Sequence, residues 1–305
     1  MKILVTGGAG FIGSHVVELL VKEGMDVIIV DDLSTGQLSN IPPQVTFYQA
    51  NIVDAGVATI FQNEKPDFVI HLAAQVDVAK SIKHPMDDAN INIVGTINLL
   101  NLCKEYHVRK IVYASTCSVY GEVGDYSITE SEPIHPISSY GISKITSEMY
   151  IRLFQQQYSL PFTILRYSNV YGPRQSIIGE GCVIPAFIHK LLEGKSPVIY
   201  GDGEQTRDFV YAKDIAMANL LALFHGTNEV MNISSNEKTS VNQLFKLISS
   251  ILHCTNPPVY AAQRNGDIRF SRVSSQKAQL SLGWSPQYDL ATGLNETIRE
   301  MSGRK

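Results

Sequence analysis

Tyr140 and Lys144 lie four residues apart in the run Ser139–Lys144, where they could act together on a hydroxyl group. Residues at this spacing share one face of a helix, so both side chains can reach one site. A phenol of ordinary pKa near 10 is a poor base at neutral pH, and a nearby ammonium favours its ionised form. The pair therefore predicts a base that removes the proton of an alcohol.

A glycine-rich run follows the first apolar segment of the chain. Its spacing can be written Gly7-x-x-Gly10-x-x-Gly13 or Gly8-x-Gly10-x-x-Gly13. Glycine suits such a turn because a Cβ would obstruct the close approach of the backbone to a pyrophosphate. The helix that follows presents free N–H groups and the positive end of its dipole to that phosphate. The run therefore predicts a dinucleotide site.

Asp31 ends the second apolar segment, about 20 residues beyond the glycines, where an acid can accept hydrogen bonds from an adenosine ribose. Its charge would repel a 2′-phosphate, so the residue favours NAD over NADP. A bound nicotinamide cation would also favour the phenolate of Tyr140, and Lys144 could hold the nicotinamide ribose. Together these residues predict redox chemistry on an alcohol.

A third catalytic residue should follow the strand predicted at Lys110–Ala114. Ser115, Thr116 and Ser118 come there, at the carboxyl edge where open α/β sheets place ligands. We take Thr116 as the hydroxyl that shares a hydrogen bond with the substrate alcohol. Ser115 and Ser118 are alternatives, and capping of the loop also accounts for Ser118.

The first half of the chain alternates apolar, strand-like runs with helical patterns. Helices are predicted at Ser14–Lys22 and Asn92–Glu105. Strands are predicted at Ile3–Thr6, Val27–Val30, Thr46–Gln49, Phe68–His71, Lys110–Ala114 and Phe162–Arg166. Apolar strands that alternate with helices are typical of a doubly wound parallel sheet covered on both faces.

After Tyr167 the pattern changes without a linker or an internal repeat. The later predicted elements are a helix at Ile184–Glu193, strands at Val198–Gly201 and Val230–Ile233, and a helix at Val241–Leu252. We therefore expect a smaller α/β unit interleaved with the first. Residues 1–167 plus about 205–236 would form the dinucleotide domain, and residues 168–204 plus 237–305 the substrate domain.

The composition of the 305 residues excludes several classes of function. A formal net charge of −4 gives no electrostatic case for nucleic acid or an anionic membrane as partner. The four cysteines are widely separated, so we expect neither a metal site nor a disulfide framework. We expect reduced thiols in a reducing compartment. No apolar run approaches the roughly 20 residues that span a bilayer. Met1 leads directly into a strand, which leaves no room for a cleaved signal, and we expect a cytoplasmic protein.

In an ordered set of motifs the chain resembles the extended short-chain dehydrogenases/reductases of the sugar-nucleotide epimerase/dehydratase family, close to the UDP-hexose 4-epimerases. The motifs are Thr6–Gly13, Asp31–Gly36, His71–Gln75, Asn92–Thr96, Tyr140–Lys144, Leu165–Arg174, Gly201–Tyr211 and Arg264–Asp267. The resemblance covers nearly the whole chain. It implies a Rossmann-type sheet, NAD, a UDP-sugar substrate, and a homodimer through the helices at Asn92–Glu105 and Tyr140–Tyr158.

The resemblance also implies roles for individual residues. The cofactor site would comprise Gly7, Gly10, Phe11, Ile12, Gly13, Asp31, Asp32, Asn51, Ile52, Leu72, Ala73, Ala74, Asn92, Tyr140, Lys144 and Tyr167. The nucleotide-sugar would contact Ser115, Thr116, Tyr140, Asn169, Val183, Arg207, Arg264, Asp267 and Ser271. Two arginines suit a diphosphate because guanidinium binds phosphate bidentately. Asn51 replaces the family's usual aspartate, but an amide can still pair with the edge of adenine.

Other departures bear on the reaction and on the sugar. Cys117 and Ser118 stand where related dehydratases place the acid that protonates a leaving hydroxyl, so epimerisation is favoured over dehydration. Ser168 replaces the family's usual phenylalanine. Ser271 falls where similar epimerases limit the room at the sugar's C2 substituent. Its small side chain favours N-acetylhexosamines, although a surface serine is the alternative interpretation.

Three alternatives to a UDP-glucose type of 4-epimerase stay open. A UDP-glucuronate 4-epimerase would keep most of these motifs. A non-catalytic dinucleotide sensor would not need the combination of Thr116, Tyr140 and Lys144. A net dehydrogenase or reductase would exchange its cofactor freely, whereas an epimerase regenerates NAD in each cycle and should retain it.

Overall fold

The computed structural model describes residues 1–177, 182–263 and 268–303. Its strands are β1 (Lys2–Thr6), β2 (Asp26–Asp31), β3 (Thr46–Gln49), β4 (Phe68–His71), β5 (Lys110–Thr116), β6 (Phe162–Tyr167), β7 (Asn169–Tyr171), β8 (Val198–Tyr200), β9 (Thr206–Arg207), β10 (Phe209–Tyr211), β11 (Glu229–Ile233), β12 (Thr239–Ser240) and β13 (Val259–Ala261). The six strands predicted for the first half are all present, some one or two residues longer.

The helices connect and cover these strands. They are α1 (Phe11–Lys22), α2 (Val57–Glu64), α3 (Val78–Lys83), α4 (Pro85–Ala89), α5 (Gly95–Glu105), α6 (Ser139–Tyr158), α7 (Val183–Leu192), α8 (Ala212–Phe224), α9 (Val241–Leu252), α10 (Gln276–Leu282) and α11 (Leu290–Met301). Two 3₁₀ turns lie at Leu38–Asn40 and Cys117–Tyr120. None of the helices in the described ranges is both long and apolar enough to cross a bilayer.

The main layer is a parallel sheet in the order β11-β6-β5-β4-β1-β2-β3, which confirms the expected doubly wound fold. Successive side chains of β1 point to opposite faces, so Ile3 and Val5 join one buried core and Leu4 joins the other. Helices α1 and α8 cover the first face, and α2, α5 and α6 cover the second. The chain leaves β1 toward β2 and later returns to place β4 on the other side of β1, so the sheet has its switch point between β1 and β4.

The later elements form a smaller layer of their own. Strand β7 pairs with β10, β8 with β13, and β9 with β12, while α7, α9 and α11 share a separate apolar core. The chain returns to the main layer with α8, which packs on α1, and with β11, which pairs with β6. This interleaving agrees with the expected two-unit arrangement, whose domain boundaries stay a prediction.

The helix predicted at Asn92–Glu105 has an irregular start. Its first part, Asn90–Val94, is a π-helical turn, and the regular helix begins at Gly95. Within this turn the Asn92 carbonyl accepts hydrogen bonds from the hydroxyls of Thr96 and Ser147. Turns of this kind are rare and often lie at functional sites.

Candidate active site

The glycine turn lies at the switch point of the sheet. Gly7 has a φ of +71°, and its N–H donates to the Val30 carbonyl at 2.9 Å. A Cβ on Gly7 would lie 2.7 Å from the Ala73 nitrogen, and one on Gly13 would lie 2.0 Å from the Gly7 carbonyl oxygen. Gly10 precedes α1 without a side-chain cap, so no side chain at this position occupies the first N–H groups of the helix. This cradle fits the pyrophosphate of a dinucleotide.

Asp31 is held beside that turn at the end of β2. Its two carboxylate oxygens accept the N–H groups of Ala9 at 3.0 Å and Leu33 at 2.9 Å. Burial raises the pKa of Asp31, and these two N–H groups act in the opposite direction. Each carboxylate oxygen has two lone pairs, so each retains capacity for a ribose hydroxyl. The geometry is compatible with the predicted ribose contact.

Four further residues of the expected cofactor site, Asn51, Ile52, Phe11 and Ile12, differ in which of their groups are left to contact a cofactor. The Asn51 amide nitrogen donates to Asp32 at 2.9 Å, and its oxygen accepts the Val53 N–H at 3.1 Å. Ile52 is buried, with its side chain against Gly95, so only its backbone can face a ligand. The predicted contacts from Phe11 and Ile12 come from the first, partly exposed turn of α1.

The segment Leu72–Ala74 runs along the opposite side of the cradle. The Leu72 N–H donates to the Thr6 carbonyl at 3.1 Å, and the Ala73 N–H donates to the Thr6 hydroxyl at 3.2 Å. These bonds fix the segment next to Gly7, as the prediction requires. A dinucleotide bound in the cradle would therefore lie between α1 and this segment.

Asn92 makes its hydrogen bonds within the protein. Its amide oxygen accepts the Gln75 N–H at 2.8 Å, and its nitrogen donates to the Gln75 carbonyl and to the Ser143 hydroxyl, both at 3.0 Å. The residue thus ties the loop after β4 to helix α6. A direct contact of Asn92 with the cofactor stays a prediction, and the geometry gives it a positioning role.

Helix α6 presents Tyr140 and Lys144 to the edge of the sheet. The Ser138 hydroxyl caps the helix by accepting the Gly141 N–H at 3.1 Å. The Lys144 ammonium donates to the Ala114 carbonyl at 2.8 Å and lies 6.0 Å from the centre of the Tyr140 ring. It also lies 4.8 Å from the Tyr113 ring. The catalytic pair therefore stands directly over the end of β5.

Burial controls the protonation of this pair. It lowers the pKa of Lys144 to about 8, against the opposing effect of the Asp88 and Glu148 carboxylates. It raises the pKa of Tyr140 to about 12, while the Thr116 hydroxyl acts to lower it. The expected lowering of the phenol pKa is therefore absent from the protein alone, because the loss of hydration outweighs the favourable neighbours.

The hydroxyls of Ser115, Thr116 and Ser118, at and just beyond the end of β5, have different surroundings. Ser115 is buried and donates to the Glu148 carboxylate at 2.5 Å, within the ion pair that Glu148 forms with Arg166 at 2.7 Å. Thr116 accepts the Ser118 N–H at 3.1 Å, and both side chains line the cleft. Thr116 also neighbours Tyr140. The geometry therefore favours Thr116, while the Ser115 hydroxyl already donates to Glu148 and its expected contact with substrate stays a prediction.

A cleft opens next to Thr116 at the end of β5. Five of the predicted residues lie along its wall: Thr116, Tyr167, Asn169, Arg207 and Ser271. The Tyr167 hydroxyl donates a hydrogen bond to the Asn219 amide oxygen at 3.1 Å, so the ring of Tyr167 is the part that can contact a ligand. The cleft thus joins residues from β5, β6, β7 and β9 with the segment before α10.

Arg207 is fixed at the rim of the small layer. Its guanidinium donates to the carbonyls of Thr206 at 2.9 Å and Ile268 at 2.6 Å. Val183 begins α7 and packs on the core of the small layer, so its predicted sugar contact receives no support from the cleft. Arg264 and Asp267 lie outside the described residues.

Sequence reasoning missed the buried carboxylate of Asp88 on α4. One of its oxygens accepts from the Gln75 amide at 3.0 Å and from the Asn92 amide at 3.1 Å. Its charge raises the pKa of Tyr140 and Lys144. An acid in a short helix after Pro85 gives no sign in the sequence that it will be buried beside a catalytic pair.

Comparison with known proteins agrees with this site. Residues 3–234 match the model of the NAD dependent epimerase/dehydratase family. The chain is 45% identical to a putative UDP-glucose 4-epimerase of Methanocaldococcus jannaschii over 98% of each protein. It is 46% identical to the crystal structure of UDP-glucose 4-epimerase from Thermotoga maritima with UDP-glucose, with a TM-score of 0.97 and 99% of each chain covered.

A further solved structure differs in its named sugar. It is the UDP-N-acetylglucosamine 4-epimerase of Methanobrevibacter ruminantium in complex with UDP-N-acetylmuramic acid, 36% identical, with a TM-score of 0.95 over 100% of this chain and 99% of that one. The glycine cradle, the Tyr140–Lys144 pair and these matches along the chain lead to one conclusion: the protein belongs to the NAD dependent epimerase/dehydratase family.

Proposed function

We propose that the protein is an isomerase that uses tightly bound NAD to invert C4 of a UDP-hexose through a transient 4-keto sugar. The observation that carries this proposal is that Thr116, which neighbours Tyr140, lines the cleft, while Lys144 donates to the Ala114 carbonyl at the end of the same strand. The three relatives described above, which match along nearly the whole chain, are named as 4-epimerases of UDP-sugars. The absence of an acid at Cys117 and Ser118 disfavours dehydration.

In this proposal each side chain has a defined part in the reaction. NAD, when bound, supplies the acceptor for the C4 hydride and the donor that returns it. The Tyr140 phenolate takes the proton of the C4 hydroxyl, and Thr116 holds that hydroxyl by a hydrogen bond. The Lys144 ammonium favours the phenolate and holds a ribose hydroxyl of the cofactor. Arg207 anchors the diphosphate, so that the keto sugar can turn and present its other face.

We extend the proposal to N-acetylated sugars because Ser271 lies in the wall of the cleft. A serine side chain leaves room that a tyrosine at the same position would fill. UDP-glucuronate stays the alternative substrate, since the polar Ser168 also faces the cleft. The structure of the N-acetylglucosamine epimerase named above supports the wider range of sugars.

A panel of UDP-sugars followed by NMR tests the proposal. Without added cofactor, the purified protein should interconvert UDP-glucose and UDP-galactose, and also UDP-N-acetylglucosamine and UDP-N-acetylgalactosamine. Exclusive turnover of UDP-glucuronate would support the alternative. No turnover of any sugar, with bound NAD present, would support a dinucleotide sensor, and a strict need for added NAD would support a dehydrogenase.

We also propose a homodimer, formed through α5 and α6. The side chains of Ile142, Met149 and Leu153 follow one face of α6 at helical spacing and are exposed, Met149 by 65%. Val94, just before α5, adds a further exposed apolar side chain. Sedimentation equilibrium should give a two-chain species for the protein and a one-chain species for Met149→Asp. A single-chain wild-type protein would contradict the proposal.

The cytoplasm is the compartment that we propose. Cys103, Cys117 and Cys254 are free thiols. Widely separated free thiols suit a reducing compartment.

A further inference from the structure

Asp208 is a fully buried carboxylate immediately behind the wall of the cleft, between β9 and β10. One of its oxygens accepts the N–H and the hydroxyl of Ser235 at 2.9 and 2.8 Å, with the Ser168 hydroxyl at 3.4 Å. The other oxygen accepts the Val273 N–H at 3.2 Å. The carboxylate thus joins three segments that are distant in sequence.

Two of these segments form the cleft itself. Ser168 lines the cleft, and Val273 follows Ser271, which also lines it, by two residues. The backbone carbonyl of Asp208 accepts the Asn169 N–H at 3.0 Å, and Asn169 is a further wall residue. Arg207, the residue predicted to hold the diphosphate, directly precedes Asp208 in the chain. The group therefore lies behind four residues that would meet the nucleotide-sugar.

Other bonds hold the far side of the same segment. Ile128 exchanges backbone hydrogen bonds with Arg272 at 2.9 Å and Ser274 at 2.8 Å, and the Ser234 hydroxyl donates to the Val273 carbonyl at 2.6 Å. The Val273 N–H is buried and donates to the Asp208 carboxylate. Without an acceptor there, a buried N–H would be left unpaired, and the segment that carries Ser271 would have to move.

We infer that Asp208 is a positioning residue for the nucleotide-sugar: its carboxylate fixes the Ser271 segment against Ser168 and Arg207 and so sets the shape of the sugar cleft. The inference rests on the proposed function, because it takes this cleft as the nucleotide-sugar site. Asp208 itself does not need to touch the substrate. Its loss should weaken the binding of the sugar-nucleotide more than it slows the chemical step.

The pH gives a further readout. Burial raises the pKa of Asp208 to about 6, with the donors of Ser235 and Val273 acting against it. The titratable and charged neighbours are the Cys117 thiol, whose own pKa Asp208 raises, and Arg207 next to it in the chain. Below that pH the carboxyl gains a proton and loses acceptor capacity, so the KM for the UDP-sugar should rise as the pH falls from 7 to 5.

The test replaces Asp208 with asparagine, which has nearly the same shape but cannot accept a hydrogen bond at both positions. Asp214→Asn is the matched control. Asp214 is also buried, and it accepts one backbone N–H on each oxygen, from Gln287 at 2.9 Å and Tyr288 at 3.2 Å, away from the cleft wall. The readouts are KM, kcat, retained NAD, and the calorimetric Kd for UDP-glucose.

For Asp208→Asn we expect KM and Kd to rise about tenfold, with kcat within about twofold and NAD retained. The rise of KM toward low pH should also disappear. Asp214→Asn should lower the melting temperature and leave KM, Kd and the pH profile unchanged. Equal effects of the two variants on KM and Kd, or no effect of Asp208→Asn on them, would overturn the inference.

A second variant keeps the test decisive if Asp208→Asn does not fold. Ser235→Ala removes one hydroxyl donor from the same carboxylate and should raise KM and Kd about threefold. An unchanged Kd in that variant would then contradict the inference. A wild-type protein that binds UDP-glucose without epimerising it would refute the proposed function, while the comparison of Kd values would still decide the role of Asp208.

Discussion

Replacing Tyr140 with phenylalanine should reduce epimerisation about 100- to 10,000-fold, because this is the factor that a positioned general base typically contributes. The substitution removes only the phenol oxygen, which Thr116 adjoins. The carboxylates nearest to this site are engaged by other groups: Glu148 accepts from Ser115 and pairs with Arg166, and Asp88 accepts from the Gln75 and Asn92 amides. NMR of UDP-glucose with the as-purified variant measures the effect.

The same experiment needs a control for the loss of a hydroxyl from α6. Tyr150 lies on this helix and packs against the core beneath the sheet, so Tyr150→Phe should retain near wild-type activity. Retained NAD in Tyr140→Phe would show that the cradle is intact and that the chemical step is lost. Activity within about tenfold of wild type in Tyr140→Phe would exclude the phenol as the general base.

Replacing Gly13 with alanine should abolish the retention of NAD. The new Cβ would lie 2.0 Å from the Gly7 carbonyl oxygen and 2.8 Å from the Gly8 Cα, so no choice of rotamer relieves the contact. The turn must open, and α1 must shift away from the phosphate site. Mass spectrometry of the denatured, as-purified variant should find NAD reduced at least about tenfold, because tight approach of the backbone dominates this kind of site.

Gly56→Ala is the matched control for that substitution. Gly56 precedes α2 with φ of −61°, and a Cβ there would meet nothing within 4 Å. We expect this variant to retain NAD and activity at the wild-type level. Wild-type NAD content in Gly13→Ala would show that the cofactor does not use this turn.

Most strands of the main sheet could be predicted because each is a short, nearly continuous apolar run. Phe68–His71, which is buried at all four positions, was predicted at its observed bounds. Thr46–Gln49 was also predicted at its observed bounds, although it is a partly exposed strand at the edge of the sheet. The π-helical turn at Asn90–Val94 could not be predicted. The Asn92 carbonyl within it accepts a hydrogen bond from Ser147 on another helix, and local periodicity in the sequence does not show such a tertiary contact.

For a similar reason, some residues of the candidate site could be predicted from the sequence and others could not. Gly7, Gly13 and Lys144 act through backbone shape and helical spacing, which the sequence displays directly. Ser115 and Thr116 are neighbours of similar chemistry, and only the buried Glu148, which engages Ser115, distinguishes them. Asp208 lies within the Gly201–Tyr211 motif, but its role could not be predicted because its partners Ser168, Ser235 and Val273 are brought together only by the fold.

The central claim is that hydrogen leaves C4 and returns to C4 within one site. Deuterium at C4 of UDP-glucose tests it most directly when the conversion to UDP-galactose is followed in ordinary water by NMR and mass spectrometry. The account predicts that the deuterium remains at C4 of the product and that no solvent hydrogen enters. Exchange of that deuterium with solvent at the rate of conversion would contradict it.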